Sequence, residues 1–312
     1  MSKSYSFSCR YDKDLHEFYI KQRNFFWTEN EIDFTKDIND WNSLNNDQRN
    51  VLKYILAFFL HSDGLICENI QTRFSNDILS IKGAEYFYNI QTVIENIHEI
   101  VYDKFVNIYI NDKDEIVKLN NRICLDPVID NKIAWIEKWM NSNDSFGARL
   151  VAFSIIEGVF FTGSFAIIFY MKHLGKMNGL AQANELIARD EQLHCEFACY
   201  MYRNKLDDCD KISKNKVYSI IEEAVNIETE FYNKSLNVEI IGLNKEQMIH
   251  TQYIKFTADN VIELLGYEKF YNVKSPFDFM ENIILNRKTN FFERKPTEYL
   301  KVNKKVLNFD NI

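Results

Sequence analysis

The sequence predicts an all-α bundle built around a two-metal carboxylate site, and three observations carry that prediction. Long stretches repeat apolar residues at helical spacing, while period-two alternation is scarce. Only three prolines (Pro127, Pro276, Pro296) and nine glycines punctuate 312 residues. Two strings, Glu95-Asn96-Ile97-His98 and Glu191-Gln192-Leu193-His194, each set a carboxylate and an imidazole three residues apart. On a helix that spacing puts both side chains on one face. Each string follows a carboxylate embedded in apolar residues: Asp63 lies 32 residues before Glu95, and Glu157 lies 34 before Glu191. The same unit thus occurs twice, a carboxylate on one helix and Glu-x-x-His on the next.

The elements follow in order. Helical patterns fill residues 46–75, 80–110, 144–173, 178–206, 212–236 and 244–266, with shorter ones before and between them. Asp47 and Ser145 are the expected caps of the first and third. Tight breaks are expected at Gly175–Gly179 and at Ser275-Pro276. Residues 151–171 are apolar enough to span a bilayer by length alone. The matching carboxylates elsewhere make this segment the central helix of a bundle instead, and no membrane association is expected.

No linker rich in proline, glycine and serine divides the first 285 residues, so residues 1–285 read as one helical domain. Residues 286–312 differ. Asn286 to Val306 holds seven basic and two acidic residues, with Phe291, Phe292 and Tyr299 interspersed and no helical period. This reads as a flexible tail that orders on a partner. An apolar content of 46% supports a large core, and a net charge of −8 argues against nucleic-acid binding. The six cysteines form no C-x-x-C pair, and no signal-like segment leads the chain. A reducing, cytoplasmic location is the expectation.

A Glu-x-x-His string alone is also an ordinary helix-surface ion pair. The surroundings decide otherwise. Asp63 follows Ile55-Leu56-Ala57-Phe58-Phe59-Leu60, and Glu157 is flanked by Ser154-Ile155-Ile156 and Gly158-Val159-Phe160. An unpaired buried carboxylate costs several kcal/mol or takes up a proton. Metal coordination removes that difficulty. Four carboxylates carry a charge that two divalent ions cancel, and oxygen-rich ligation with one imidazole per ion suits iron or manganese better than zinc. Tyr102 falls on the same stripe, four residues after His98, with its phenol toward the metals. Phe161, Phe165 and Ile187 fall on or near the metal-facing sides of their helices and would keep that phenol dry.

Taken together, Asp63, Glu95, His98, Tyr102, Glu157, Glu191 and His194 resemble the small, radical-generating subunit of class I ribonucleotide reductase. The local strings Ser62-Asp63-Gly64, Glu157-Gly158, Gly163-Ser164-Phe165 and Arg189-Asp190-Glu191-Gln192-Leu193-His194-Cys195 match as well. Phe26-Trp27-Thr28 and Pro276-Phe277-Asp278-Phe279-Met280-Glu281 resemble eukaryotic and large-DNA-virus members. The resemblance runs from about Tyr11 to the tail. It implies a ferritin-like helical bundle, a homodimer, and two iron ions per chain, with manganese an option. It implies O2-dependent formation of a tyrosyl radical at Tyr102. Trp27 would pass an electron toward the cluster, and Asp190 would link it to His98. Tyr299 would relay the radical to a large catalytic subunit that reduces ribonucleotides. The sequence departs from the eukaryotic pattern at its end, Phe309-Asp310-Asn311-Ile312, where that pattern is acidic with a terminal Phe. Another di-iron oxidase, such as a ferroxidase or desaturase, is the first alternative; a metal-free helical scaffold is the second.

Overall fold

In the computed structural model, residues 12–35, 37–110, 112–234, 242, 252–277 and 280 are described. Among the described residues every regular element is helical. The chain forms one unit from Met1 to Pro276 and a second from Phe277 to Ile312. The tail expected from residue 286 onward lies outside the described residues.

The first unit opens with α1 (Lys13–Phe25), a 3-10 turn at Glu29–Glu31 and the short α2 (Asp37–Ser43). Helix α3 (Asn46–Asn69) passes through a π turn at Ile70–Phe74 into the one-turn α4 (Ser75–Asp77). Helices α5 (Ala84–Tyr109), α6 (Lys113–Leu125) and α7 (Pro127–Met140) follow. Helix α8 (Phe146–Ile155) leads through a second π turn, Ile156–Phe160, into α9 (Thr162–His173). Then come α10 (Asn178–Asn204), α11 (Lys214–Lys234) and α12 (Tyr253–Leu264).

The expected helices are present over the described residues, with two differences; residues 235–236 and 244–251 of the last two patterns lie outside the described residues. Asn45, not Asp47, caps α3: Asn45 and Gln48 exchange side-chain to backbone hydrogen bonds in a capping box, and Asp47 sits inside the first turn. Ser145 caps α8 as expected, its Oγ accepting from the Ala148 amide. The pattern over 144–173 is not one helix but two, joined by the π turn that carries Glu157. Hydrophobic periodicity does not register a single inserted residue when both flanks are buried.

Packing makes two helix pairs. Helix α3 lies on α5, and α8, the second π turn and α9 lie on α10; α5 and α10 touch and join the pairs. Helix α1 covers both α5 and α10. The apolar segment Phe146–His173 passes a length and hydropathy test for a membrane span, yet 89% of its most apolar window is buried inside the fold. Its two helices run through the centre of the bundle, where the sequence placed a single one.

The register of α10 is set at its start. Asp37 of α2 is buried and accepts from the Gly179 and Leu180 amides at 2.7 and 2.6 Å and from the Tyr109 hydroxyl at 2.8 Å. Asp40 accepts from the Met177 amide at 2.9 Å. These bonds satisfy first-turn N–H groups that a helix leaves unpaired. Gly179 permits the approach, since a Cβ there would lie 2.6 Å from the Asp33 carbonyl oxygen. One short helix thereby fixes α10 against α5 and fixes which face α10 turns inward.

Candidate metal centre

Four helical segments deliver the expected side chains. Asp63 comes from α3; Glu95, His98 and Tyr102 from α5; Glu157 from the second π turn; Glu191 and His194 from α10. All seven are buried. Ligand atoms of Glu95, Glu157, Glu191 and His194 lie within 4.8 Å of one another. His98 joins them, its Nδ1 2.9 Å from Glu191 Oε1 and 3.2 Å from Glu95 Oε2. His194 Nδ1 lies 3.0 Å from Glu95 Oε1 and 3.0 Å from Glu191 Oε2. Glu95 and Glu191 therefore each offer one oxygen to each imidazole. Asp63 falls outside the four-residue cluster and connects to it through the charges of Glu95, His98 and Glu191.

The electrostatics call for positive charge. Burial, and then the neighbouring carboxylates, push Asp63 and Glu157 well above the usual carboxylate range. Burial alone would lower the two imidazoles, but the carboxylates outweigh it. His98 is raised well above its ordinary value, chiefly by Glu191, and His194 is raised to about 9, chiefly by Glu95. Glu191 goes the other way: burial raises it, and the two imidazoles more than reverse that. Asp63 Oδ2, Glu95 Oε2, His98 Nδ1 and Glu157 Oε2 are buried without an aligned hydrogen-bond partner among the described residues. Such lone pairs normally find partners in a fold. These atoms come from α3, α5 and the second π turn, and with Glu191 and His194 of α10 they make a donor set of carboxylate oxygens and imidazole nitrogens. That set fits hard to borderline divalent ions.

The family follows from comparison with known proteins. The family model for "Ribonucleotide reductase, small chain" matches residues 4–276. The chain therefore belongs to that family. The ribonucleoside-diphosphate reductase small chain of Variola virus is 47% identical over 289 residues, covering 93% of this chain and 89% of the relative. A small chain of the same enzyme from Arabidopsis thaliana is 45% identical over 291 residues, 92% of this chain and 85% of the relative. The structure of the Rnr4 homodimer from Saccharomyces cerevisiae aligns with a TM-score of 0.81 at 32% identity, covering 94% of this chain and 91% of that one. The ferritin-like bundle expected from the sequence is thus the family's fold.

Around the ligands, the structure shows what holds a ribonucleotide reductase small chain's imidazoles. Asp190 Oδ2 accepts from Trp27 Nε1 at 2.7 Å and lies 3.4 Å from His98 Nε2. The Trp27 and His98 rings stack at 6.1 Å. Burial would raise the Asp190 carboxyl, but Arg189, His98 and Trp27 together hold it below its ordinary value. Arg189 in turn donates to the Phe25 carbonyl at 2.6 Å and lies over the Phe25 ring.

Three residues escaped the sequence reading. Gln22 of α1 sets its amide nitrogen 2.8 Å from His194 Nε2, so Nδ1 is the nitrogen left facing the carboxylates. Its Oε1 is buried without a partner among the described residues; with the amide turned over, that oxygen accepts from an Nε2–H, the tautomer a ligated Nδ1 requires. Gln91, one turn before Glu95, donates to Glu95 at 3.2 Å and to Glu157 at 3.1 Å. Phe59 stacks on Tyr102 at 4.8 Å and 13°, and contacts Phe161 and Phe165, the residues expected to shield that phenol. Ile187 is buried as well. The Gln91 signal was available as a polar residue at i−4 on the ligand stripe; Gln22 and Phe59 meet their partners only through the tertiary fold. Tyr299 lies outside the described residues.

Proposed function

We propose that this chain is the radical-generating subunit of ribonucleoside-diphosphate reductase, active as a homodimer with a separate large catalytic subunit in the cytoplasm. Asp63, Glu95, His98, Glu157, Glu191 and His194 would hold two metal ions, read as iron with manganese as the substitute. When bound, these ions supply O2 reduction and one-electron oxidation.

The observation that carries the reading is Tyr102. Its hydroxyl is buried and has no hydrogen-bond partner among the described residues. Burial raises its pKa well above the ordinary phenol, and Asp63, Glu191 and Glu95 raise it further. The phenol therefore keeps its proton at rest. Loss of an electron makes it a strong acid, and Asp63 is the carboxylate that acts on it most strongly. Phe59 covers one ring face. A neutral radical there is kept from water and from solvent reductants.

Trp27, in the connection after α1, forms with Asp190 and His98 a buried hydrogen-bonded path to the centre. We read it as the route by which electrons reach the site; a ferroxidase, which takes its electrons from the ferrous ions it oxidises, does not need one. Tyr299 is read as the relay to the large subunit, and the residues after it as the docking segment.

Reconstitution tests this. Metal-loaded protein mixed with a large subunit of the family should reduce a ribonucleoside diphosphate, and neither protein should do so alone. Tyr299→Phe should bind the large subunit normally and support no reduction. Full reduction by Tyr299→Phe, or by the large subunit without this chain, would remove the reading.

A further inference from the structure

A buried charge pair outside the metal centre has no part in the function described so far. Lys132 of α7 and Glu228 of α11 are both 0% exposed. Lys132 Nζ lies 2.6 Å from Glu228 Oε2 and donates to the Phe160 carbonyl at 2.9 Å. The ammonium also faces the rings of Phe58 at 4.0 Å and Phe231 at 4.3 Å. Enclosing two charges in an apolar core generally stabilises less than filling the same space with apolar side chains. The pair therefore needs a reason other than stability.

The contact of Lys132 with the Phe160 carbonyl supplies one. Phe160 ends the π turn Ile156–Phe160, where the spacing returns to that of an α-helix. A π turn inserts one residue into a helix and disturbs the ladder of backbone bonds, so it persists where something outside the helix holds it. Helix α11 grips the same place again one turn later. Tyr232 shares a hydrogen bond with Ser164 at 3.2 Å, and its hydroxyl sits where a Cβ on Gly163 would fall, 2.3 Å away. The two grips lie at residues 160 and 163–164, just beyond Glu157.

We propose that the Lys132–Glu228 pair is a latch that holds the π turn open and so positions Glu157 at the metal centre. Lys132 is a positioning residue: it touches the backbone that carries a ligand, not the ligand. Without the latch the turn relaxes toward α-helical spacing and swings Glu157 out of the cluster it forms with Glu95, Glu191 and His194. This rests on the metal reading above only for its effect on metal binding; the effect on the turn stands alone.

The test compares two ion pairs that join the same two helices. Lys132→Met/Glu228→Leu removes the buried pair at similar volume and should leave the melting temperature unchanged or higher. Lys138 and Glu223 make an exposed pair between α7 and α11, with Nζ 2.9 Å from Oε1; Lys138→Ala/Glu223→Ala is the control. In metal-free protein, amide hydrogen exchange over residues 157–164 should quicken by about tenfold or more in the buried-pair variant and stay unchanged in the control. Ferrous-ion affinity, measured against a chelator, should fall by roughly 10- to 100-fold in the buried-pair variant alone. Unchanged exchange, or unchanged affinity, in a folded buried-pair variant overturns the latch. Should that variant not fold, Glu228→Gln keeps the shape and removes one charge; it should shift both readouts in the same direction, and no shift overturns the proposal. Wild-type protein that binds no ferrous ion sinks the metal reading instead, and exchange then decides the latch.

Discussion

The two Glu-x-x-His units are nearly the same in sequence and differ in what stands behind each imidazole. On the α3–α5 side, His98 has a carboxylate behind it: Asp190, which also holds Trp27 and Arg189. On the α8–α10 side, His194 has an amide, Gln22. In front, the two rings share Glu95 and Glu191 almost evenly. A charged partner makes His98 the more electron-rich ligand and connects it to an oxidisable ring; a neutral partner only fixes the tautomer of His194. On the function proposed above, one motif used twice gives a site with one conducting side and one structural side.

The largest break should come from the ligand both sides share. Glu191→Ala removes an oxygen from each imidazole, so uptake should drop from about two ions per chain to less than one. Asp63→Ala, confined to one side, should retain an ion on the His194 side. Equal uptake by Glu191→Ala and wild type, measured by metal analysis after desalting, would refute the shared-ligand geometry.

Replacing the outer partners one at a time separates the sides more finely. Asp190→Asn strips a charge from behind His98 and from Arg189, and should lower metal affinity by about 10- to 100-fold while abolishing nucleotide reduction with a large subunit. Gln22→Leu should cost at most about tenfold in affinity and leave electron delivery intact once metal is supplied in excess. Equal damage from both variants would erase the distinction drawn between the sides.

Protons sharpen it least. Because His194 is raised to about 9 in the fold from an ordinary 6.5, its contribution to the stability of metal-free protein is complete below pH 6.5 and is lost as pH rises through 9. The change is on the order of 3 kcal/mol. Metal loading must run the other way, since both imidazoles release protons to bind it. Denaturant melts of metal-free protein from pH 6 to 9.5 should fall while ferrous-ion affinity climbs over the same window. Stability that is flat or rising there would contradict the assigned environment of His194.

What was legible in the sequence followed from local geometry. The i, i+3 and i, i+4 spacing of Glu95, His98 and Tyr102 can be read without a fold, and so can the apolar flanks of Asp63 and Glu157. What was not legible is where distant helices meet. Gln22 reaches His194 across 172 positions, and nothing in a pattern of apolar residues sets that distance. Phe59 looked like any other phenylalanine of α3. Lys132 sits in an amphipathic stretch where a lysine ordinarily faces solvent, and only the aromatic box and Glu228 explain its burial. The link from Trp27 through Asp190 to His98 was expected from family resemblance, because spacing alone could not have located it. The π turn at Glu157 was invisible for a different reason, since both of its flanks are apolar on every side.

The central claim is that this fold generates and protects an oxidised Tyr102. Electron paramagnetic resonance on iron-loaded, oxygen-exposed protein tests it directly, with Tyr102→Phe alongside. Wild-type protein should show a long-lived tyrosyl signal. Tyr102→Phe keeps the ring that stacks on Phe59 and should take up iron and consume O2 equally well, yet show no persistent signal. A full-strength tyrosyl signal in Tyr102→Phe, or none in fully iron-loaded wild type, would contradict the account.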